Sequence, residues 1–514
     1  MEEHLKSRQP GFLAVVLLLS GVNLLLHLIC LRNYGYFIDE LYYLACSRHL
    51  AWGFVDQPPL CAAILRAITA VAGSSLVAIR VIPALAGAAT MVFVGLLVRE
   101  FGGGLYALLL AGLAVLVNPL FLFMHHYYSM NCFDILFWAG AMLLFARLLR
   151  GGDPRWWLAL GLLLGLGMMN KIGVAWLAAG IFAGVVFTHH RRMLRAPWPW
   201  LGAGIALVIL LPYILWNLQH GWPTLEFMRN ATRLKYAGIT RANFLLMQIL
   251  ELHPFAFPIW IIGAASLLFF KLARPYRAIG IAWLTVEGIL LIYGHSKTEY
   301  IGPAVTVLLA AGGVAIERFM RERRVRRAPA AVPIALLLAG GALMAPYTLP
   351  VLPVDSFIAY EKALHFTPAS EEGKSLGALP QHYADMFGWE NLASTVARVC
   401  DRLPPEDRAQ ACVFAPRYGP AGALEQLGKT YHLPPVISGH NNYWIWGPGE
   451  CTGAVVVVLG SHRDDLAGDF DTVETADTVR SLHVMPYENN IPIWICRGLH
   501  QPLREVWGDV KHLE

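Results

Sequence analysis

Charge is scarce in this chain. Asp, Glu, Lys and Arg make up 15% of its 514 residues, where a soluble domain carries about 25%. The deficit is uneven: residues 11–350 are apolar runs broken by short polar turns, and from about residue 355 the sequence reads as ordinary soluble protein. A small-residue cleavage site is also lacking after the N-terminal apolar run, so MEEHLKSRQPGFLAVVLLLSGVNLLLHLIC reads as a retained first helix, not a removed signal. No CxxC or Cys/His zinc spacing occurs, and no G-x-G-x-x-G follows the strand-like ACVFA, which argues against a zinc module or a dinucleotide fold. Lys and Arg form no stripe of the kind that holds nucleic acid, and no nucleic-acid partner is expected. Cysteine is sparse, with 8 in all. Cys400, Cys412, Cys451 and Cys496 lie in the tail, where an oxidising compartment would allow three pairings of the four.

What the chain does have is length in its apolar runs. Stretches of spanning length fall near 11–31, 76–98, 104–122, 131–149, 156–169, 172–188, 198–217, 254–271, 276–293, 301–319 and 330–350, which predicts about 11 transmembrane helices. Asn170-Lys171, in mid-run, predicts a hairpin turn rather than one long helix. The expected fold class is therefore an all-α polytopic membrane domain, residues 1–350, followed by a soluble α/β domain, residues 351–514. In the tail, ACVFAPRYG, PPVISG and AVVVVLGSH read as short buried strands and AGALEQLGKTY as a helix between them. With the N-terminus in the cytoplasm, the inside turns would be those at 99–103, 147–155, 189–197, 271–277 and 318–329. All of them are basic, as the positive-inside rule requires. The tail then lies outside the cytoplasm.

The residues able to do chemistry gather in the loops on that outer side. Asp39 and Glu40 follow the first span by a few residues and lead into Tyr42, Tyr43, Arg48 and His49, which reads as an amphipathic helix at the membrane interface. The Val55-Asp56-Gln57-Pro58-Pro59 segment ends it. His125 and His126 precede a helix carrying Asp134, an acid in an apolar span and costly there unless paired or hydrated. Lys171 and Lys297, the latter close to Tyr300, stand where positive charge is otherwise sparse and suit a phosphate at the headgroup level. The 218–253 loop, with Arg229, Arg233, Lys235, Tyr236 and Arg241, is a candidate flap over the site or else a connecting amphipathic helix. In the tail, His440, Asn441, Asn442, Trp444 and Trp446 are candidates for stacking on a sugar or for packing. Acids, cations and aromatics at one depth fit a substrate that is part lipid, part phosphate and part polar head.

The acid pair after the first helix and the following Asp-Gln-Pro-Pro-Leu segment resemble the bacterial branch of the dolichyl-phosphate-mannose protein mannosyltransferases. These are family 39 glycosyltransferases of the GT-C fold, with the lipid A aminoarabinose transferases as relatives. The Lys171 turn, the His-Ser-Lys-Thr-Glu-Tyr segment before Pro303, and the tail segments DMFGWENLA and LPPVISGHNNYWIWGPGE resemble the same subgroup. The resemblance implies a bacterial inner-membrane enzyme that uses a polyprenyl-phosphate-linked sugar. It makes Asp39 the catalytic carboxylate with Glu40 beside it, and Lys171 and Lys297 the phosphate contacts; in the mechanism the residues suggest, Asp134 or Glu40 is a further catalytic candidate that would orient the acceptor or the base. Tyr42, Asp56, Gln57, His125, His126 and Tyr300 complete the expected substrate-binding set. Two positions depart from the pattern: Gln57 stands where many relatives have Lys, and Tyr42 where some have Arg, each removing a cation.

The function expected on these grounds is sugar transfer from the lipid carrier to a lipid, polysaccharide or protein acceptor outside the cytoplasm. No cofactor is assigned beyond that lipid-linked donor, no metal ligands are identified, and a divalent metal is left open. The alternative is a transporter or flippase of a lipid-linked sugar, which calls for charges lining a path between both faces and for internal repeats; the chain shows its charges on one face.

Overall fold

A computed structural model describes residues 10–325, 327–365 and 374–514. The expectations placed on the charged first nine residues and on Arg326 lie outside the described residues. The chain divides into two compact units. One comprises residues 1–31, 77–215 and 239–352, the other residues 32–76, 216–238 and 353–514.

The first unit is helical, and each predicted span coincides with a helix. These are Pro10–Cys30, Leu76–Glu100, Leu105–Leu116, Met130–Leu149, Trp156–Asn170, Val174–Val186, Pro197–Gln219, Phe257–Phe269, Arg277–Tyr293, Thr298–Glu322 and Arg327–Thr348. Among the described residues seven helices are long and apolar enough to cross a membrane, and Leu105–Leu116, Trp156–Asn170, Val174–Val186 and Phe257–Phe269 are shorter apolar helices. The chain thus has the features of a multi-span membrane protein. The turn expected at Asn170-Lys171 is present: the Val174 amide closes it on the Lys171 carbonyl at 3.1 Å.

Small residues let these helices approach, since lipid offers little hydrophobic incentive for association. A methyl group on Gly263 would collide with the Leu308 carbonyl, and one on Gly312 with the Ile259 carbonyl. Gly180 and Gly184, one turn apart, meet Ala282 and Ala278 in the same way. The basic turns gather at one end of this unit. Arg150 pairs with Glu100 at 3.3 Å, and Tyr276 donates to the Glu100 carbonyl at 2.7 Å. Glu317 accepts from the Gly104 amide at 2.6 Å, so the turns near 100, 150, 276 and 317 share that end.

The second unit is built on a five-stranded sheet: β1 (Ala411–Phe414), β2 (Val436–Ile437), β3 (Val455–Leu459), β4 (Phe470–Val479) and β5 (Ile491–Leu499). The order is β2-β1-β3-β5-β4. β1 runs parallel to β2 and β3, while β5 is antiparallel to β3 and β4. The uninterrupted Val-Val-Val-Val-Leu of β3 is buried along its whole length, as a strand covered on both faces demands. The helices Trp389–Asp401 and Tyr418–Leu427 pack in the core together with Leu41, Tyr42, Ala45, Cys46, Phe54 and Ala62.

That last group corrects the expectation of an interfacial helix. Ile38–Arg48 is buried from Glu40 to Ser47 because it packs against Tyr418–Leu427. The contact is close enough that a Cβ on Gly422 would lie 2.9 Å from the Leu41 backbone, and one on Gly419 would collide with Ile38. One disulfide forms among the tail cysteines, Cys412–Cys451, spanning 39 residues; closing a loop of that length stabilises by about 4 kcal/mol. Cys400 and Cys496 stay reduced and are buried as small apolar side chains.

Candidate active site

The carboxylates that follow the first span lie in the second unit. Ile38–Arg48 opens with Asp39 and Glu40 in its first turn, where acids oppose the positive end of the helix. Glu40 is fully buried and its carboxylate accepts from the Phe37 amide at 2.9 Å. This is the reciprocal half of a capping box, satisfying an amide that the helix leaves unpaired. Asp39 has a different partner: the Tyr418 hydroxyl donates to it at 3.0 Å. The ring of Tyr418 packs on Tyr42, with centroids 4.7 Å apart.

Tyr42 donates to Asp56 at 3.0 Å. Asn442 closes the group, its side-chain carbonyl accepting from the Val55 amide at 2.6 Å and lying 3.5 Å from the Tyr42 hydroxyl. Burial pushes the Asp56 carboxyl up to about 7, the Tyr42 hydrogen bond opposes that, the negative charge of Asp39 adds to it, and the positive charge of Lys235 opposes it. Lys235, part of the candidate flap, is therefore an additional cation near these acids. Gln57 is buried beside Cys46, with its side-chain oxygen unpartnered among the described residues.

The tail's aromatic segment is held by packing. Trp444 and Trp507 each donate to the other's carbonyl, at 3.0 and 2.9 Å. Trp446 stacks on His49 at 4.3 Å, and His440 stacks on His512 at 4.4 Å. Asn441 has φ 48, in the left-handed region. Its side chain is fixed there by the Glu514 amide and carbonyl, at 3.0 and 3.2 Å, and the next residue is Asn442, which holds the Asp56 segment. Strain of this kind concentrates at functional sites.

In the first unit a second group forms. Lys171 reaches Asn131 at 2.6 Å and Asp134 at 3.8 Å, and its ammonium stands 5.3 Å from the Tyr300 ring centroid. Asn170 donates to the Met130 carbonyl at 2.8 Å, tying the two helix ends together. Asp134 is thus the paired acid that an apolar span requires. Lys297 caps Thr298–Glu322, and its carbonyl accepts from the Tyr300 amide at 3.1 Å. His125 and His126 are buried, the His27 ring lies 6.2 Å from that of His125, and both nitrogens of His126 are unpartnered among the described residues.

Arg80, inside Leu76–Glu100, was missed by the sequence reading. It is fully buried, with a guanidinium nitrogen 3.4 Å from the Leu31 carbonyl. The signal was an arginine within an apolar run, which is by default a functional candidate. No group of three His, Cys, Asp or Glu residues gathers to hold a metal ion among the described residues.

Two outcomes follow from this geometry. Asp56 binds its proton more tightly folded than unfolded, so folded protein carries more protons between pH 4 and 7 and loses stability as pH rises through that window. The cost above pH 7 is on the order of 4 kcal/mol, and Asp56→Asn should flatten the fall in melting temperature measured from pH 4 to pH 8. Lys171→Met leaves Asp134 buried without its partner and should cost about 3–5 kcal/mol. Adding Asp134→Asn should recover most of that loss in a double-mutant cycle of thermal unfolding.

Residues 56–216 match the family described as dolichyl-phosphate-mannose-protein mannosyltransferase. RgtD, a lipid A galacturonosyltransferase of Rhizobium johnstonii, is 26% identical over 302 residues, which is 55% of this chain and 60% of that protein. The aligned region is thus less than two thirds of that relative. The crystal structure of ArnT from Cupriavidus metallidurans in the apo state matches with TM-score 0.57 and 15% identity over 94% of this chain and 97% of ArnT. With undecaprenyl phosphate bound, the same protein gives 0.55. At that identity the likeness speaks for the fold, and the fold is the GT-C architecture that the motifs led us to expect. Residues 56–216 of this chain thus match the dolichyl-phosphate-mannose-protein mannosyltransferase family, as the resemblance of its motifs had indicated.

Proposed function

We propose that the chain is an inverting glycosyltransferase that moves a sugar from a polyprenyl-phosphate carrier to an acceptor on the extracytoplasmic side of a bacterial inner membrane. The observation that carries this reading is the hydrogen-bonded group Asp39, Tyr418, Tyr42, Asp56 and Asn442, in which the half-buried Asp39, Asp56 and Tyr418 surround the buried Tyr42 and Asn442. In it two half-buried carboxylates are each held by a tyrosine hydroxyl, the charge of one raises the pKa of the other, and Asp56 titrates near 7. Such pairs, with a displaced pKa and fixed hydrogen bonds, are characteristic of acid–base sites.

Asp39 takes the proton from the acceptor hydroxyl. The hydroxyl oxygen forms a bond to the anomeric carbon from the face opposite the phosphate. The bond between that carbon and the phosphate oxygen breaks, and its electron pair leaves with the phosphate. A single displacement inverts the anomeric centre. The phosphate departs as a stable anion and needs no strong acid, only cations to meet its charge. Lys235 is proposed for that task in the second unit, where it stands in for the cations missing at Tyr42 and Gln57. In the first unit, Lys171 and Lys297 are proposed phosphate contacts, with Tyr300, His125 and His126 as proposed substrate neighbours. Asp56 is suited to hold a substrate hydroxyl, and Glu40 serves by fixing the helix that carries Asp39. Asp134 is proposed to keep Lys171 in place.

The likeness to ArnT, whose crystal structure holds undecaprenyl phosphate, supports a lipid-linked donor, and the likeness to the galacturonosyltransferase RgtD supports sugar transfer. The Cys412–Cys451 disulfide supports an oxidising compartment for the tail. The gathering of basic turns at one end of the first unit supports the inward placement of that end.

Purified protein in lipid bilayers, offered a panel of polyprenyl-phosphate sugars and acceptors, should release polyprenyl phosphate. Asp39→Asn should lower the rate at least ~100-fold while leaving the melting temperature near that of the native protein. Native-like turnover by Asp39→Asn, or binding of every sugar-lipid without release, would overturn the assignment.

A further inference from the structure

At the basic end of the first unit two short connections lie side by side. His189–Arg195 links Val174–Val186 to Pro197–Gln219, and Lys271–Tyr276 links Phe257–Phe269 to Arg277–Tyr293. The tight approach of Gly184 to Ala278 sets the end of one helix against the start of the other. Between the connections is a cavity of about 480 Å³, lined by Phe187, Thr188, His189, Arg191, Arg274 and Arg277 along with Val186. That is room enough for a lipid headgroup.

The chemistry of this cavity is one-sided. Three guanidinium groups and an imidazole line it, and among the described residues no carboxylate does. Arg277 Nε is buried and has no hydrogen-bond partner among the described residues. A buried guanidinium N–H without an acceptor is costly, and an anion in the cavity would remove that cost. Arg277 is also the first residue of a 17-residue helix, whose free amides and dipole favour negative charge.

The surroundings are apolar and exposed. Phe187, itself a wall of the cavity, is 76% exposed; Phe269, Phe270 and Leu272, at the start of the second connection, are 73%, 52% and 65% exposed. A basic cavity edged by exposed apolar side chains matches an amphiphile with a negatively charged head and acyl chains.

We propose that this cavity binds the phosphate of an anionic phospholipid of the surrounding bilayer, with the exposed Phe and Leu side chains against its acyl chains. The lipid belongs to the basic end of the first unit. It stabilises the junction of Val174–Val186 with Arg277–Tyr293. The inference rests on reading the first unit as membrane-spanning and is independent of sugar transfer. A zwitterionic phosphatidylcholine head carries its own cation and is disfavoured among arginines.

Full-length protein in phosphatidylcholine nanodiscs containing phosphatidylglycerol would be analysed by native mass spectrometry for retained lipid, with and without inorganic phosphate. The native protein should retain phosphatidylglycerol over phosphatidylcholine and keep it in the presence of phosphate. Each arginine removed should lower that preference about five-fold, so about five-fold in Arg191→Gln, an exposed loop position, and about 25-fold in the Arg274→Gln, Arg277→Gln pair. Arg155→Gln, outside the cavity, should match the native protein. Arg191→Gln decides the matter if the double variant fails to fold. Equal retention of both lipids by the native protein, native-like preference in Arg191→Gln, or displacement of the lipid by inorganic phosphate would each overturn the proposal.

Discussion

The packing of the helix Ile38–Arg48 against Tyr418–Leu427 is the contact on which the rest of the second unit depends. It joins residues nearly 400 positions apart, and it is possible because Gly419 and Gly422 present no side chain to Ile38 and Leu41. Leu41, Tyr42, Ala45 and Cys46 then share one core with β1, β3 and the helix Trp389–Asp401. The Trp389 indole adds a hydrogen bond to the Tyr36 carbonyl at 2.9 Å. The loop after the first span is thus a structural part of the tail's domain.

The chemistry follows from that placement. Asp39 faces Tyr418 only because the two helices pack, and Asp56 meets Tyr42 only because Asn442 holds the Val55 amide. Asn442 is in turn set by a strained Asn441 clamped through Glu514. Burial that organises these groups also raises the Asp56 pKa toward neutrality. The same desolvation thus stabilises the core through its apolar members and weakens it through its acid, a common compromise where a site is built into a core.

Much of this was legible in the sequence. Each predicted span coincides with a helix because hydropathy over about 20 residues is the strongest signal a chain carries. The Lys171 turn and the strands β1 to β3 were readable for similar reasons: a charge in mid-run and short apolar runs between turn residues. β4 was not, because Phe-Asp-Thr-Val-Glu-Thr-Ala-Asp-Thr-Val is an edge strand, polar along much of its length, and its outer edge has no partner in the sheet. The burial of Ile38–Arg48 was hidden because its aromatics suit a membrane interface as well as a core, and its partner lies far along the chain. Glu40 read as a site acid, and its capping hydrogen bond depends on where the helix starts, which sequence locates poorly. Arg80 was overlooked inside a run counted for its length. The Cys412–Cys451 pairing is set by strand positions that spacing alone does not reveal.

The account's central claim is that the carboxylate-bearing loop and the tail fold as one unit. Hydrogen exchange of the full-length protein in lipid, followed as urea is raised, tests it most directly. The amides of Ile38–Arg48 should open together with those of β1 and β3, at the same urea concentration and with the same slope. Exchange of Ile38–Arg48 well before the strands, or continued protection after they have opened, would contradict it.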